Sequence, residues 1–219
     1  MSNVVLELKN IYKDYRQGKS TISVLEDINM KVYAGQMLAI IGSSGKGKST
    51  LLHIAGLLDK PTKGSVTISG FEGNLLDNLK KSHLIRLKEI GFIYQYHHLQ
   101  QDFTAQENVA MPLLIAGNSQ SQSMSLAATM LEELGLGNRL YHLPGELSGG
   151  QQQRVAIGRA LVIEPKIIIA DEPTGNLDPI TANEVFQLLL NQAKEKNASV
   201  IMASHNMQLA QRMDTIYKL

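Results

Sequence analysis

The segment Gly42-Ser43-Ser44-Gly45-Lys46-Gly47-Lys48-Ser49, followed by Thr50, decides the fold of this chain. It matches the pattern G-x-x-x-x-G-K-[ST], whose glycines let successive backbone N–H groups point at one anion. An apolar run at residues 37–41 predicts a buried strand before the segment, and residues 49–58 predict a helix after it. The segment is therefore predicted to bind phosphate, with Lys48 reaching the β- and γ-phosphates of a nucleotide and the Ser49 hydroxyl ligating Mg²⁺.

The last third of the chain predicts further strands and helices in alternation. An apolar run at residues 167–170 reads as a buried strand that ends at Asp171, and residues 199–203 read as another. Asp178 is a good N-cap, with Pro179 in the first position of a helix that continues to about residue 193. Strands that alternate with helices predict a mainly parallel sheet with ligands at the carboxyl ends of its strands.

The middle of the chain has a helical pattern instead. Thr104 and Glu107 match a capping box at a helix start, and a polar, serine-rich stretch at 118–125 predicts an exposed loop or helix start. One apolar helical face is predicted to contain Leu126, Met130, Leu131 and Leu134. We interpret residues 96–163 as a helical subdomain inserted into an α/β core formed by residues 1–95 and 164–219, the whole chain 1–219 being one domain.

Composition excludes several classes of function. The 219 residues include 21 basic and 20 acidic residues, a net charge of +1, which argues against direct nucleic-acid binding. With zero cysteines, the chain has no disulfide, thiolate zinc site or cysteine nucleophile. The N-terminus lacks a signal-peptide core, and the longest mainly apolar run, residues 109–117, is far shorter than a bilayer span. We therefore expect a soluble protein that reaches a membrane only through a partner.

Two further motifs carry chemistry. Asp171 and Glu172 end the predicted strand, where Asp171 suits the Mg²⁺ shell and Glu172 suits orienting or deprotonating an attacking water. Farther upstream lies a second predicted anion site at a helix N-terminus, built from Ser148, Gly149, Gly150 and Gln151. A plain helix cap does not explain why this site occurs together with a phosphate loop.

The order of the motifs GSSGKGKST, LSGGQ and ADEP resembles that of ABC-type ATPases. The resemblance implies a P-loop ABC ATPase core with a mainly parallel sheet, an N-terminal antiparallel β portion and a helical subdomain. It implies ATP hydrolysis by a head-to-tail homodimer, in which each ATP lies between one phosphate loop and the other subunit's 148–151 segment. It also implies that Tyr15 stacks on adenine, that Gln95 senses Mg²⁺ and the membrane partner, that Asp178 crosses the dimer interface, and that His205 lies at the γ-phosphate.

Residues 91–114 are most similar to the ATPase subunits of bacterial lipoprotein-releasing transporters. This similarity implies that two integral membrane permease subunits dock near residues 95–114 and handle the lipoprotein cargo. The chain would then lie peripherally at the cytoplasmic face of the inner membrane. The alternatives are an ATPase of a macrolide-exporter-type or cell-division-type ABC complex, or a soluble ABC ATPase outside transport.

Two other classes fit less well, because a small-molecule kinase would lack the 148–151 motif and a non-catalytic cassette would lack Glu172 or His205. The sequence also departs from the family at Lys46, Gly158 and Asn206, and it ends at Leu219 without the usual Asp-Gly hairpin. We expect the Lys46 side chain to point to solvent. We expect these departures to change rate and stability rather than the class of activity.

Overall fold

The computed structural model describes residues 3–18, 20–69, 71 and 78–219, and these form two β-sheets surrounded by helices. In chain order the elements are β1 (Val4–Gln17), β2 (Ser20–Tyr33), β3 (Met37–Ile41), α1 (Lys48–Ala55), β4 (Lys63–Ile68), α2 (Leu79–Glu89), β5 (Ile90–Tyr94), α3 (Ala105–Ile115), α4 (Gln120–Glu133), α5 (Gly149–Leu161), β6 (Ile167–Asp171), α6 (Pro179–Glu195), β7 (Ser199–Ala203), α7 (Met207–Ala210) and β8 (Thr215–Lys218). Two short 3₁₀ turns, Gly137–Arg139 and Pro144–Glu146, precede α5.

The larger sheet is parallel. Its strand order is β5-β6-β7-β3-β8, and every neighbouring pair runs in the same direction. The carboxyl ends of these strands therefore meet at one edge, where the loops that follow β3, β5, β6 and β7 lie side by side. The smaller sheet is antiparallel, in the order β2-β1-β4. The predicted α/β fold class, with its antiparallel N-terminal portion and its helical segment, is confirmed.

Alternating side chains of the parallel strands fill two apolar cores. In β3, Met37 and Ala39 belong to the core that includes α3, α5 and α6, whereas Leu38 and Ile40 belong to the core that includes α1 and the antiparallel sheet. Strands buried on both faces read as continuous apolar runs, which is why the sequence predicted β3, β6 and β7. The sheet between the two cores is a rigid base for the loops at its carboxyl edge.

The helix after the phosphate loop is shorter than predicted. It ends at Ala55 rather than near residue 58, because Gly56 caps it and Leu57 has a left-handed φ of 60° that cannot continue a helix. Helix α6 begins after Asp178 and α7 begins after Asn206, both as predicted. Within the described ranges, none of the helices is both long enough and apolar enough to cross a membrane.

In the helical segment, the predicted capping box is present, and the residues of the predicted apolar face differ in how far they are buried. Thr104 and Glu107 form the predicted capping box at the start of α3, and α4 begins at Gln120 with Ser119 as its cap. Of the four residues predicted to share one helical face, Met130, Leu131 and Leu134 are buried, whereas Leu126 is 51% exposed. Leu126 lies at the rim of the apolar face, where an open cleft reaches Gln122 and Ser125.

Candidate active site

The loop between β3 and α1 has a backbone that only glycine adopts easily. Gly45 and Gly47 have φ values of 78° and 88°, in the left-handed region. A Cβ on Gly47 would also lie 2.8 Å from a methyl group of Val24 and 2.9 Å from one of Leu25. Two separate constraints therefore favour glycine in the phosphate loop. One is the left-handed backbone at Gly45 and Gly47, and the other is the close approach of β2 to Gly47.

The N-terminus of α1 is available to an anion. Its N-cap is Gly47, which has no side chain to occupy the first N–H groups, whereas Thr104, Ser148 and Asp178 cap α3, α5 and α6. Lys48 is buried, and its Nζ donates to the carbonyl oxygens of Gly42 at 2.9 Å and Ser43 at 3.1 Å. The ammonium is thus held inside the curve of the loop. The exposed positions around it are Ser43, Ser44, Gly45, Lys46 and Ser49, so Lys46 lies at the surface as expected.

Glu172 and His205 meet at the carboxyl ends of β6 and β7. The Glu172 carboxylate lies 2.7 Å from Nε2 of His205, and that nitrogen lies 3.3 Å from Nζ of Lys48. Glu172 has a left-handed φ of 48°, and its N–H donates to the carbonyl of Ala203 at 3.0 Å. A hydrogen bond that ties the two strand ends together thus holds the strained residue. The three residues predicted to be catalytic form one continuous line of contacts.

Gln95 and Asp171 lie at the carboxyl ends of two adjacent strands. Tyr94 is paired in register with Asp171, so Gln95 follows β5 next to the end of β6. The Gln95 side chain donates to Oδ1 of Asn176 at 2.9 Å, and Asn176 donates back to the Gln95 carbonyl at 3.2 Å. Helix α1, with Ser49 in its first turn, contacts β6 and β7. The hydroxyl, amide and carboxylate oxygens of Ser49, Gln95 and Asp171 are the donor types that Mg²⁺ takes beside phosphate oxygens, so these residues fit that ion.

Tyr15 lies on β1 with 42% of its surface exposed. Its hydroxyl donates to Oδ2 of Asp59 at 2.7 Å. Burial and this hydrogen bond raise the pKa of Tyr15, while a hydrogen bond with the Thr50 side chain lowers it. Because the Asp59 N–H donates to the carbonyl of His53 at 3.2 Å, the aromatic ring is linked through Asp59 to the helix that follows the phosphate loop.

The 148–151 segment forms a second helix N-terminus. Ser148 and Gln151 make a capping box, in which Oγ of Ser148 accepts from the Gln151 N–H at 3.4 Å. The Ser148 hydroxyl hydrogen is not needed for that bond and can be donated to another acceptor. A Cβ on Gly150 would lie 2.5 Å from Thr181, so the segment lies against the start of α6.

Asp178 is occupied within its own chain. Its Oδ1 accepts from the N–H groups of Ile180 and Thr181, each at 3.1 Å. Hydrogen bonds from the Thr181 side chain and backbone lower the pKa of Asp178, because they stabilise the charged carboxylate. Asp178 therefore fixes the start of α6 beside the 148–151 segment.

The structure brings together most of the predicted residues, but not all of them. Residues 42–50, Gln95, Asp171, Glu172 and His205 share the carboxyl edge of the parallel sheet. Residues 148–151 and Asp178 lie together elsewhere, beside α6. Over the ranges that the structure describes, no hydrogen bond or ion pair joins residues 42–50 to residues 148–151. The two predicted anion sites of one chain are therefore built separately.

The sequence did not predict the contacts by which three residues support the site. Asp59 holds Tyr15, Asn176 holds Gln95, and the Arg159 guanidinium donates to the carbonyls of His97 at 2.8 Å and His98 at 2.7 Å. Each of these contacts joins residues that are far apart in the sequence. The separation is 44 positions for Tyr15 and Asp59, 81 for Gln95 and Asn176, and 61 for His98 and Arg159. Such pairs leave no local pattern in a single sequence.

A parallel sheet with a phosphate loop after β3 and a carboxylate pair after β6 defines a P-loop ATPase. The family model described as "ABC transporter" matches residues 25–175, which is more than half of the chain. The chain belongs to the ABC transporter family, as a nucleotide-binding ATPase.

Relatives match over the full length. The chain is 60% identical over 219 residues to the "Lipoprotein-releasing system ATP-binding protein LolD" of Rickettsia bellii, covering 100% of this chain and 96% of that protein. It is 47% identical, with the same coverage, to "Lipoprotein-releasing system ATP-binding protein LolD 2" of Caulobacter vibrioides. Among solved structures, "Dimeric structure of a post-hydrolysis state of the ATP-binding cassette MJ0796 bound to ADP and Pi" matches with a TM-score of 0.88 and 39% identity, over 98% of this chain and 94% of the other.

Proposed function

We propose that this chain hydrolyses ATP to power the release of lipoproteins from the bacterial inner membrane towards the outer membrane, as the ATPase of an ABC transporter. The observation that carries the proposal is the full-length identity of 56–60% with Rickettsia proteins of the lipoprotein-releasing system. The contact line from Lys48 through His205 to Glu172 supplies the chemistry that such a subunit needs.

In this proposal, phosphoryl transfer to water depends on positioning and charge neutralisation. Lys48 neutralises the β- and γ-phosphates, Glu172 orients or deprotonates the attacking water, and His205 contacts the γ-phosphate. Ser49, Gln95 and Asp171 would hold Mg²⁺, which would supply positive charge to neutralise the phosphate oxygens. The remaining ATP contacts come from residues 42–50 and from Tyr15 at the base.

We also propose that two copies bind ATP head to tail. The N-terminus of α5 is exposed at Ser148 and Gly149 and lies apart from the phosphate loop of its own chain, which leaves it for a nucleotide on a second copy. Ser148, Gly149, Gly150 and Gln151, with Asp178 beside them, then complete the γ-phosphate cage from the partner subunit. Dimers are described for the related cassette MJ0796, which supports this arrangement.

Docking of the membrane subunits is proposed at residues 95–114 and at the groove that adjoins them. An apolar groove of about 510 Å³ lies between α2, β5, α3 and α5, with Leu87, Phe92, Pro112, Ile115 and Ile163 among its lining. Ile115 is 67% exposed there. Residues 96–163 would serve as the helical subdomain of one ATPase domain, 1–219, whose catalytic core is 1–95 and 164–219. Bound to two permease subunits, the protein would be peripheral at the cytoplasmic face of the inner membrane.

Ile115→Asp tests the groove. A charge placed in an apolar interface should abolish co-purification with the membrane subunits, while nucleotide affinity stays unchanged because the phosphate loop is distant in the fold. Leu126→Asp is the matched control, since Leu126 is an exposed apolar residue on α4 outside the groove. Equal loss of co-purification in both variants would argue against docking at this groove.

The proposed function itself is tested by purifying the chain from membranes and identifying the integral subunits that accompany it. Subunits whose loss leaves lipoproteins in the inner membrane are the expected result. Exporter-type or cell-division-type subunits would assign a different cargo, and the absence of any integral subunit would favour an ATPase outside transport.

A further inference from the structure

A cluster of Lys13, Asp59 and Tyr15 lies at the edge of the proposed nucleotide site. The Tyr15 hydroxyl donates to Oδ2 of Asp59 at 2.7 Å, and Nζ of Lys13 donates to Oδ1 of the same carboxylate at 2.7 Å. Lys13 also donates to the carbonyl of Lys60 at 2.7 Å. Both oxygens of Asp59 are therefore engaged, one by the aromatic residue and one by the ammonium.

Lys13 also lies against one face of the Tyr15 ring. Its Nζ is 4.7 Å from the ring centroid, a cation–π distance. Lys13 is only 9% exposed, whereas Tyr15 is 42% exposed. The inner face of the ring is thus covered by a buried cation, and the outer face is left for a planar group to stack on.

The cluster links the ring to the helix that begins at the phosphate loop. The Tyr15 hydroxyl is bonded to Asp59, and the Asp59 N–H donates to the carbonyl of His53 in α1 at 3.2 Å. Any movement of the ring relative to the phosphate loop would break these contacts. The distance between a stacked base and a bound diphosphate is therefore set by the cluster.

Charge in the cluster is maintained at neutral pH. Partial burial opposes ionisation of Asp59, but the hydrogen bonds from Lys13 and Tyr15 outweigh it and lower the pKa of that carboxyl. Burial and the bond to Asp59 raise the pKa of Tyr15, so its hydroxyl remains a donor. The carboxylate thus accepts from both neighbours under the conditions in which nucleotide binds.

We propose that Asp59 and Lys13 are positioning residues for nucleotide binding, which hold the Tyr15 ring at a fixed height and tilt so that the base stacks while the phosphates lie in the loop. They act through Tyr15 and do not touch the nucleotide. The inference rests on the proposed function, because it takes Tyr15 as the platform for the base.

The test compares two ligands with the full chain by isothermal titration calorimetry: ADP, and inorganic pyrophosphate as its base-free counterpart. Tyr15→Ala removes the stacking surface and should weaken ADP about tenfold. Tyr15→Phe keeps the ring but removes its hydrogen bond to Asp59. Asp59→Ala removes that hydrogen bond and also the ion pair with Lys13, the residue that lies against the ring. Each should weaken ADP about threefold, since an unfixed ring must be ordered on binding. Pyrophosphate affinity should be unchanged in all three.

Two further variants separate positioning from a general structural effect. Asp59→Ala added to Tyr15→Ala should weaken ADP no more than Tyr15→Ala alone, because Asp59 acts only through the ring. Glu7→Ala is the matched control, as it breaks a lysine–carboxylate pair of 3.0 Å with Lys31 elsewhere in the same sheet, and both affinities should stay unchanged. Asp59→Asn, which keeps the side-chain shape, replaces Asp59→Ala if the latter does not fold.

The outcomes distinguish the inference from the function beneath it. Equal weakening of ADP and pyrophosphate by Asp59→Ala, or additive losses in the double variant, would overturn the positioning role. Full ADP affinity in Tyr15→Phe and in the Asp59 variants would overturn it as well, while loss in Tyr15→Ala would leave the platform standing. An unchanged ADP affinity in Tyr15→Ala would instead reject the platform itself.

Discussion

Glu172 shows how a single residue can be fixed by its neighbours. Its left-handed φ of 48° is unfavourable for a residue with a side chain, and the hydrogen bond to Ala203 together with the contact to His205 holds it there. The carboxylate is thereby aimed at the end of β7, beside Lys48. Replacing Glu172 with glutamine keeps the shape of the side chain and removes only its negatively charged carboxylate.

Glu172→Gln should therefore slow ATP hydrolysis about 10²–10⁴-fold, because general base catalysis by a positioned carboxylate is lost. ATP affinity should be unchanged, and an ATP-bound dimer should accumulate on size-exclusion chromatography. Glu164→Gln makes the same change of charge at an exposed position and should hydrolyse ATP at the normal rate. Normal turnover by Glu172→Gln would remove Glu172 from the chemistry.

Among the elements, α5 and β5 approach each other closely beside the site. A Cβ on Gly91 in β5 would lie 2.4 Å from the carbonyl oxygen of Ala160 in α5, a backbone atom that cannot rotate away. This approach, with Arg159 bound to the carbonyls of His97 and His98, ties the helix that begins at Ser148 to the segment that follows Gln95. The elements of the second anion site and of the proposed docking segment are thus connected within one chain.

Gly91→Ala should lower the free energy of unfolding by about 1–3 kcal/mol, since the added methyl group forces α5 away from β5. Urea denaturation followed by circular dichroism measures the change. Gly145→Ala is the control, because a Cβ there meets nothing within 4 Å and should leave stability nearly unchanged. Equal transition midpoints for the two variants would contradict the close approach.

At the level of elements, the sequence predicted what local pattern determines. β3, β6 and β7 are apolar runs buried on both faces, and α6 and α7 have the caps that Asp178 and Asn206 provide. Helix α2 and strand β8 were missed because α2 buries few apolar side chains and β8 is a short edge strand. The hairpin of β1 and β2 has no simple alternating pattern, because it includes many exposed residues and its pairing register shifts several times.

The site was predictable where one segment carries its own geometry. The loop at 42–50 and the capping box at Ser148 need only nearby residues, so their sequence patterns predicted their local structure. Contacts made across the fold were not predictable in this way. The tether of Tyr15 by Asp59 and the bond of Gln95 to Asn176 depend on how β1, β5 and the loops after α1 and β6 come together.

At the scale of the whole molecule, the fold keeps the two predicted anion sites, at the N-termini of α1 and α5, apart from each other. One chain carries an uncapped helix N-terminus at α1 and an exposed one at α5, with no direct hydrogen bond between their loops in the described ranges. In the proposed head-to-tail dimer, a two-fold interface would place each loop of one copy against the other loop of its partner. Two composite sites would then form together, each built from both chains.

Mixing two inactive variants tests this arrangement. Lys48→Ala removes the phosphate-loop cation, whereas Ser148→Asp keeps an N-cap for α5 but places negative charge against the phosphate. Each variant alone should be inactive in ATP hydrolysis. In a mixed dimer, one site combines the intact phosphate loop of one copy with the intact Ser148 of the other, so random mixing should restore about a quarter of normal activity. A mixture that stays as inactive as its components would contradict shared sites, and full activity from Ser148→Asp alone would show that one chain suffices.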